Sequence, residues 1–267
     1  MVTFERITKN KLQYFSSVLD KKKRQVSGLF HIEGIHLFEE FLKSGFKAEW
    51  IVLHTDFISQ HPQLANTIWN KFSAITFQAN AAEFRKISDT ENAQGIAAGI
   101  YQKKNNEIDF STTTKDIIVA LDQINDPGNL GTILRSADWF GINKIVLSKS
   151  SVDIYNPKVV RASMGSIFRV SCQSLDLPQF LMQAKEKNYS IFAASIDPNA
   201  PADFEKTNTS NVIVIGNEAH GISEPIKRLC SHEIRIPKFG HAESLNAATA
   251  SAILMYEFSK QRYRNAK

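Results

Sequence analysis

The sequence predicts an α/β protein: a C-terminal, mostly parallel sheet flanked by helices, preceded by a small N-terminal α/β domain. Three observations carry this. Short β-branched runs without alternation, Ile117-Ile118-Val119, Ile145-Val146-Leu147 and Val212-Ile213-Val214-Ile215, read as strands buried on both faces. Helical patterns separate these runs, as crossover connections between parallel strands require. A polar stretch from Gln102 to Lys115, nearly free of apolar residues, marks a linker. The division expected is residues 1–104, a linker at 105–115 and a second domain at 116–267.

Length and composition agree. With 267 residues, the chain can bury a core in each of two domains. Hydrophobic residues at 43% and charged ones at 22% argue against disorder. The formal net charge of +5 points weakly to a polyanionic partner. Cys172 and Cys230 lie far apart and form no CxxC pair, which fits a reducing compartment. Met1 to Arg6 lack a signal peptide's apolar core, and no apolar run could span a bilayer. A cytoplasmic protein without membrane association is expected.

In the N-terminal part, Lys11 to Leu19 has a helical pattern and runs into the cluster Lys21-Lys22-Lys23-Arg24. That cluster is either a solvated helix end, the reading favoured on its own terms, or a phosphate-contacting patch. Leu29 to Gly34 reads as a short strand. In Ile35 to Lys43, helical spacing puts Leu37, Phe38, Phe41 and Leu42 on one face, with Gly45 as the stop. Trp50 to His54 is a buried strand, and alternation continues through Gln94 to Ile100. His31, His36, His54 and His61 show no metal-ligand spacing, so no metal site is expected.

After the strand at 116–122 comes Asn125-Asp126-Pro127-Gly128-Asn129-Leu130-Gly131-Thr132-Ile133-Leu134-Arg135, running on to Gly141. Asp-Pro-Gly is a turn, Asn129 is the expected N-cap and Gly141 the expected helix stop. An arginine among Ile133, Leu134, Ala137 and Phe140 needs a partner, and spacing alone favours an acidic neighbour. Strands follow at Lys144–Ser148, Arg169–Cys172 and Ser190–Ser195, with helices at 159–166 and 180–187.

Asn211 to Ser251 organises the rest. The strand Val212–Ile215 ends in Gly216-Asn217-Glu218-Ala219-His220-Gly221, a loop with a glycine at each end and a carboxylate inside. A second strand, Glu233 to Ile236, stops at Pro237. The polar loop Lys238 to Glu243 and Ser244-Leu245-Asn246 then lead into an alanine-rich helix from Ala247 to Arg264. Two loops are thus expected to leave two neighbouring buried strands, where open α/β sheets bind ligands. The chain has no GxGxxG, GxxxxGK[ST] or GxSxG. Nicotinamide, phosphate-loop and serine-elbow chemistry therefore lack their fingerprints.

These three segments resemble the signature motifs of the SpoU-type RNA 2′-O-methyltransferases of the SPOUT class. The first is Asn125 to Arg135 with Ala137 and Phe140-Gly141. The second is Ile215 to Ile222, and the third Ile234 to Pro237 with Ser244 to Ala248. More weakly, Phe30-His31-Ile32-Glu33-Gly34 and Ser88 to Ile96 resemble the family's substrate-binding domain, built like a small ribosomal protein of the L30e-like fold.

The resemblance implies a C-terminal trefoil knot, S-adenosylmethionine as methyl donor, an RNA substrate and a homodimer, with no metal. Carried onto this chain, Gly216, Ile236 and Leu245 would line the donor pocket. Asn129, Arg135, Glu218, Ser244 and Asn246 would form the reaction site. The implied reaction is attack of a ribose 2′-oxygen on the sulfonium methyl group. A guanidinium stays protonated in proteins, so gripping the target phosphate suits Arg135 better than acting as base. The separate N-terminal domain favours ribosomal over transfer RNA. The reading of another class is a catalytically silent RNA-binding member of the same fold, against which the complete residue set speaks.

Overall fold

Every β-branched run named above folds as a strand. The computed structural model describes residues 2–103, 108–110, 116–202 and 210–264, the side chains of 262–264 excepted. Two units result: Met1–Lys104 with Tyr155–Phe168, and Asn105–Ile154 with Arg169–Lys267. The linker expected at 105–115 lies mostly outside the described residues.

In the first unit, β1 (Glu5–Arg6), β2 (Leu29–Glu33), β3 (Ala48–His54), β4 (Thr76–Ala79) and β5 (Ile96–Tyr101) form one sheet, ordered β1-β4-β3-β5-β2. Here β3 runs parallel to β4 and antiparallel to β5. The helix Ile35–Lys43 buries Leu37, Phe38 and Phe41. It ends where Ser44 turns extended, not through a left-handed Gly45.

The basic cluster divides. Lys21, Lys22 and Lys23 are exposed, whereas Arg24 is buried and donates to the carbonyls of Val18 (3.1 Å) and Leu19 (2.7 Å). It thereby satisfies acceptors left at the end of the preceding helix, Lys9–Ser17.

Residues Tyr155–Phe168 pack in this unit through aromatic rings. Phe30 stacks on Tyr155 at 4.7 Å and Phe46 meets Phe168 edge-on at 5.2 Å. Arg161 also pairs with Asp89. The helix here, Pro157–Ala162, is shorter than the expected 159–166 stretch would run, because Met164 and Gly165 adopt φ of 49° and 89°.

The second unit holds β6 (Ile117–Leu121), β7 (Lys144–Ser148), β8 (Ser171–Leu175), β9 (Ser190–Ser195), β10 (Asn211–Ile215) and β11 (His232–Arg235). All pairs are parallel, in the order β11-β9-β10-β6-β7-β8. On one face Ile118, Ala120, Val146, Val212 and Val214 pack with Phe180, Leu181 and Ala184 of the helix Leu177–Glu186. Over the other lies the helix Ala247–Arg264, whose Phe258 meets Phe192 edge-on at 5.0 Å. That helix packs on a second one, Pro127–Trp139. Each buried aliphatic side chain contributes roughly 1.5–3 kcal/mol relative to exposure. A doubly covered parallel sheet needs apolar residues at consecutive positions, which is why these runs do not alternate.

The strands that bear the second and third motifs depart from expectation. The strands that launch the two motif loops are not neighbours, because β9 lies between β10 and β11. Nor is β11 fully buried: it is an edge strand with only Ile234 buried. Its sequence, His232-Glu233-Ile234-Arg235, carries the polar side chains that an edge tolerates.

Candidate functional site

From β6 the chain steps outward to β7 and then β8, while β10 lies on the opposite side of β6. The order therefore switches between β6 and β10, whose last residues, Leu121 and Ile215, are paired. Loops leaving the carboxyl ends of strands at such a switch form a ligand crevice.

The loop after β6 enters the helix Pro127–Trp139 through Asp126. Its Oδ1 accepts the Asn129 N–H at 2.7 Å, and Pro127 fills the first helical position, where a missing N–H costs nothing. The N-cap is thus Asp126 and not Asn129, a correction that Asp-Pro itself signals. Asn129, displaced to the third helical position, has a side chain free for other work. Gly141 stops the helix as expected, with φ of 69°.

The loop after β10 folds back on itself. Asn217 and Gly221 exchange backbone hydrogen bonds of 3.0 and 2.8 Å, and Gly221 has φ of 68°. A Cβ on Gly216 would overlap the Gly221 carbonyl and the Ile222 nitrogen, so this closure requires glycine there.

The segment after β11 returns to cap the helix Ala247–Arg264. Asn246 Oδ1 accepts the N–H groups of Ala248 (2.9 Å) and Thr249 (3.3 Å). Residues from all three segments then meet. Asn246 Nδ2 donates to Asn129 Oδ1 at 3.0 Å, and Asn129 Nδ2 donates to Glu218 Oε1. Helix N–H donors at one end and an acceptor-only carboxylate at the other fix both amide orientations.

Of the expected reaction residues, Asn129, Glu218 and Asn246 are joined directly. Arg135 lies two turns along the same helix, is exposed, and forms no hydrogen bond or ion pair with the described residues. The acidic partner expected from spacing is absent among them. Ser244 is exposed beside Leu245, itself 44% exposed, and Ile236 is half-buried just past β11. Among the described residues no group of His, Cys, Asp or Glu is placed to hold a metal. Nor is any helix there long and apolar enough to cross a membrane.

Sequence reading missed the residues that seat the loops. Asp122, 2% exposed, accepts the Ser223 N–H at 2.9 Å, and Gln123 accepts from Asn217 Nδ2 at 2.9 Å. A polar residue ending an otherwise apolar strand is the only local sign of either.

Asn129, Glu218 and Asn246 thus form one hydrogen-bonded set at the switch point, where α/β sheets bind ligands, and Arg135 on the same helix as Asn129 is exposed and without an ion pair among the described residues. Residues 116–256 match the model of the SpoU rRNA Methylase family, and residues 9–98 match an MRM3-like substrate binding domain. The chain belongs to the SpoU rRNA methylase family, and is an RNA methyltransferase.

Among similar proteins is the 23S rRNA (guanosine(2553)-2′-O)-methyltransferase RlmP of Bacillus subtilis. It is 29% identical over 257 residues, covering 96% of this chain and 98% of the relative. The 23S rRNA (uridine(2479)-2′-O)-methyltransferase of Streptomyces viridochromogenes is 30% identical, over 66% of this chain and 64% of the relative. Among solved structures, the AdoMet-bound rRNA methyltransferase from Sinorhizobium meliloti superposes with a TM-score of 0.83. Its identity is 25%, over 98% of this chain and 97% of that one.

Proposed function

We propose that this chain methylates a ribose 2′-hydroxyl of ribosomal RNA, using S-adenosylmethionine, and that the Asn246–Asn129–Glu218 series orients the reacting groups. The hydrogen-bonded union of residues from three separate loops at the switch point carries this reading. Two relatives named as 23S rRNA 2′-O-methyltransferases support the substrate, and the AdoMet-bound neighbour supports the donor.

The residues present fit that donor. Ile236, just past β11, and Leu245, just before the last helix, offer partly exposed apolar surface, as an adenosyl group needs, and the Glu218 carboxylate suits a cationic sulfonium. Gly216, Ile236 and Leu245 would hold it. When bound, it supplies an electrophilic methyl group.

The 2′-hydroxyl is a weak nucleophile, so catalysis rests on positioning and on removal of its proton. An arginine donates hydrogen bonds and accepts none, so Arg135 grips the phosphate with its planar fork. Asn129 and Asn246 hold the ribose edge, and Ser244 donates to it. The transfer would form the ribose O–CH3 bond as the S–CH3 bond of the donor breaks, its electron pair leaving with sulfur as a neutral thioether, while the hydroxyl proton would pass to solvent or to the Glu218 carboxylate.

A C-terminal trefoil knot belongs to this reading. Support comes from the strand order: residues 236–246 leave edge strand β11 yet bring Asn246 to Asn129, on the helix that follows the central strand β6. A homodimer is proposed as well. Ala248 and Met255 are buried within the chain, but Leu245 (44%), Tyr256 (48%) and Trp139 (85%) remain exposed for a second copy. The N-terminal unit is read as an L30e-like RNA-binding domain, and the protein as cytoplasmic.

The test is a map of 2′-O-methyl groups across total RNA with and without the gene. One ribosomal position should lose its methyl group. Loss at a transfer RNA position would redirect the substrate, and an unchanged map would point to the silent RNA-binding alternative.

A further inference from the structure

We infer that Asn217 is a positioning residue for methyl transfer, one that seats the loop after β10 so that Glu218 reaches Asn129. This deepens the reading above and rests on it.

Two adjacent residues at the end of β6 hold both feet of that loop. Asp122 takes the N–H of Ser223 at its far end, at 2.9 Å, and the carbonyl of Gln123 takes Asn217 Nδ2 at its near end, also at 2.9 Å. The Gln123 carbonyl is aimed by a φ of 57°, unusual for a residue with a side chain, and the residue's own N–H is held by Ser148 Oγ at 2.9 Å.

Asn217 serves two ties at once. Its Nδ2 reaches Gln123, while its Oδ1 accepts the Ala219 N–H at 2.8 Å, on the far side of Glu218. Glu218 is thereby flanked by fixed backbone on both sides. An exposed glutamate held only by its own side chain would sample many rotamers, and holding one geometry for Asn129 would cost side-chain entropy. With the backbone preset, that cost falls mainly on the remaining side-chain torsions.

The experiment uses the full chain, tritiated S-adenosylmethionine and ribosomal RNA from a strain lacking the gene. Asn217→Ala is expected to lower kcat by about 100-fold, the scale of a small misplacement in a positioned site. KM for RNA and donor affinity, measured by calorimetry, should stay within a few-fold. The distinguishing readout is a double-mutant cycle. If Asn217 acts through Glu218, the pair Asn217→Ala with Glu218→Ala should be no slower than Glu218→Ala alone.

Additive losses, or loss of donor binding and melting temperature in step with activity, overturn the proposal in favour of a purely structural role. If Asn217→Ala does not fold, Asn217→Asp, which keeps the acceptor for Ala219 but not the donor to Gln123, takes its place. Should wild type transfer no methyl group to this RNA, the functional reading fails instead.

Discussion

Asn246 and Asn129, 117 residues apart in sequence, share a 3.0 Å side-chain hydrogen bond that joins the cap of the last helix to the first turn of another. Asn246 therefore does two separable things: its Oδ1 caps a helix, and its Nδ2 fixes Asn129.

Asn246→Ala should lose both, costing about 1 kcal/mol in stability for the cap along with most activity. For a unit of this size that is a fall of roughly 2–4 °C in melting temperature. Asn246→Asp keeps a capping oxygen but cannot donate to Asn129, so it should melt close to wild type and still transfer methyl groups poorly. Thermal melting and tritium transfer on both variants check the separation; an active Asn246→Asp would break it.

Arg135 is exposed and unpaired among the described residues, so its truncation should leave stability within about 0.5 kcal/mol. Transfer should nonetheless be abolished, with donor affinity retained within a few-fold. Arg135→Lys should not restore the rate, because a point charge cannot reproduce a bidentate fork. A fully active Arg135→Ala enzyme on its own RNA would remove the residue from the site.

Gly216→Ala adds a methyl group where the Gly221 carbonyl and Ile222 nitrogen already lie. Backbone cannot step aside as a side chain can, so the closed loop must open, at about 1–3 kcal/mol. Loss of donor-induced thermal stabilisation is the expected readout. Unaltered donor binding would show that loop closure is dispensable.

Glu33 makes the first unit acid-sensitive. Burial alone would raise its carboxyl, but His31 beside it at 3.6 Å and donors from Ser88 (2.6 Å), Thr90 (2.6 Å) and Asp89 (2.9 Å) hold it at about 2. With the folded value below the unfolded one, the contribution is complete above about pH 4.3 and is lost as pH falls towards 2. Glu33→Gln should be less stable at neutral pH and show a flatter dependence of melting temperature on pH in that window. Parallel curves for the two proteins would contradict this.

Much of the architecture is written locally. The helix Ala247–Arg264 runs over the residues its composition marks, and β10 coincides with its apolar run apart from Asn211. The three motif segments carry the family resemblance residue by residue. Asp-Pro could have identified Asp126 as the cap, since aspartate before a first-position proline is a helix-start signature.

What the sequence determined by itself was the set of chemical groups and the strands and helices bearing them, because periodicity and capping act over a few residues. Which strands became neighbours, and which loops met, was decided by the tertiary fold. Placing β9 between β10 and β11, or Asn217 on Gln123 and Asn246 on Asn129, depends on pairings 94 and 117 residues apart. Such contacts form only when the whole sheet and its covering helices bury their apolar faces together, and no local pattern encodes that.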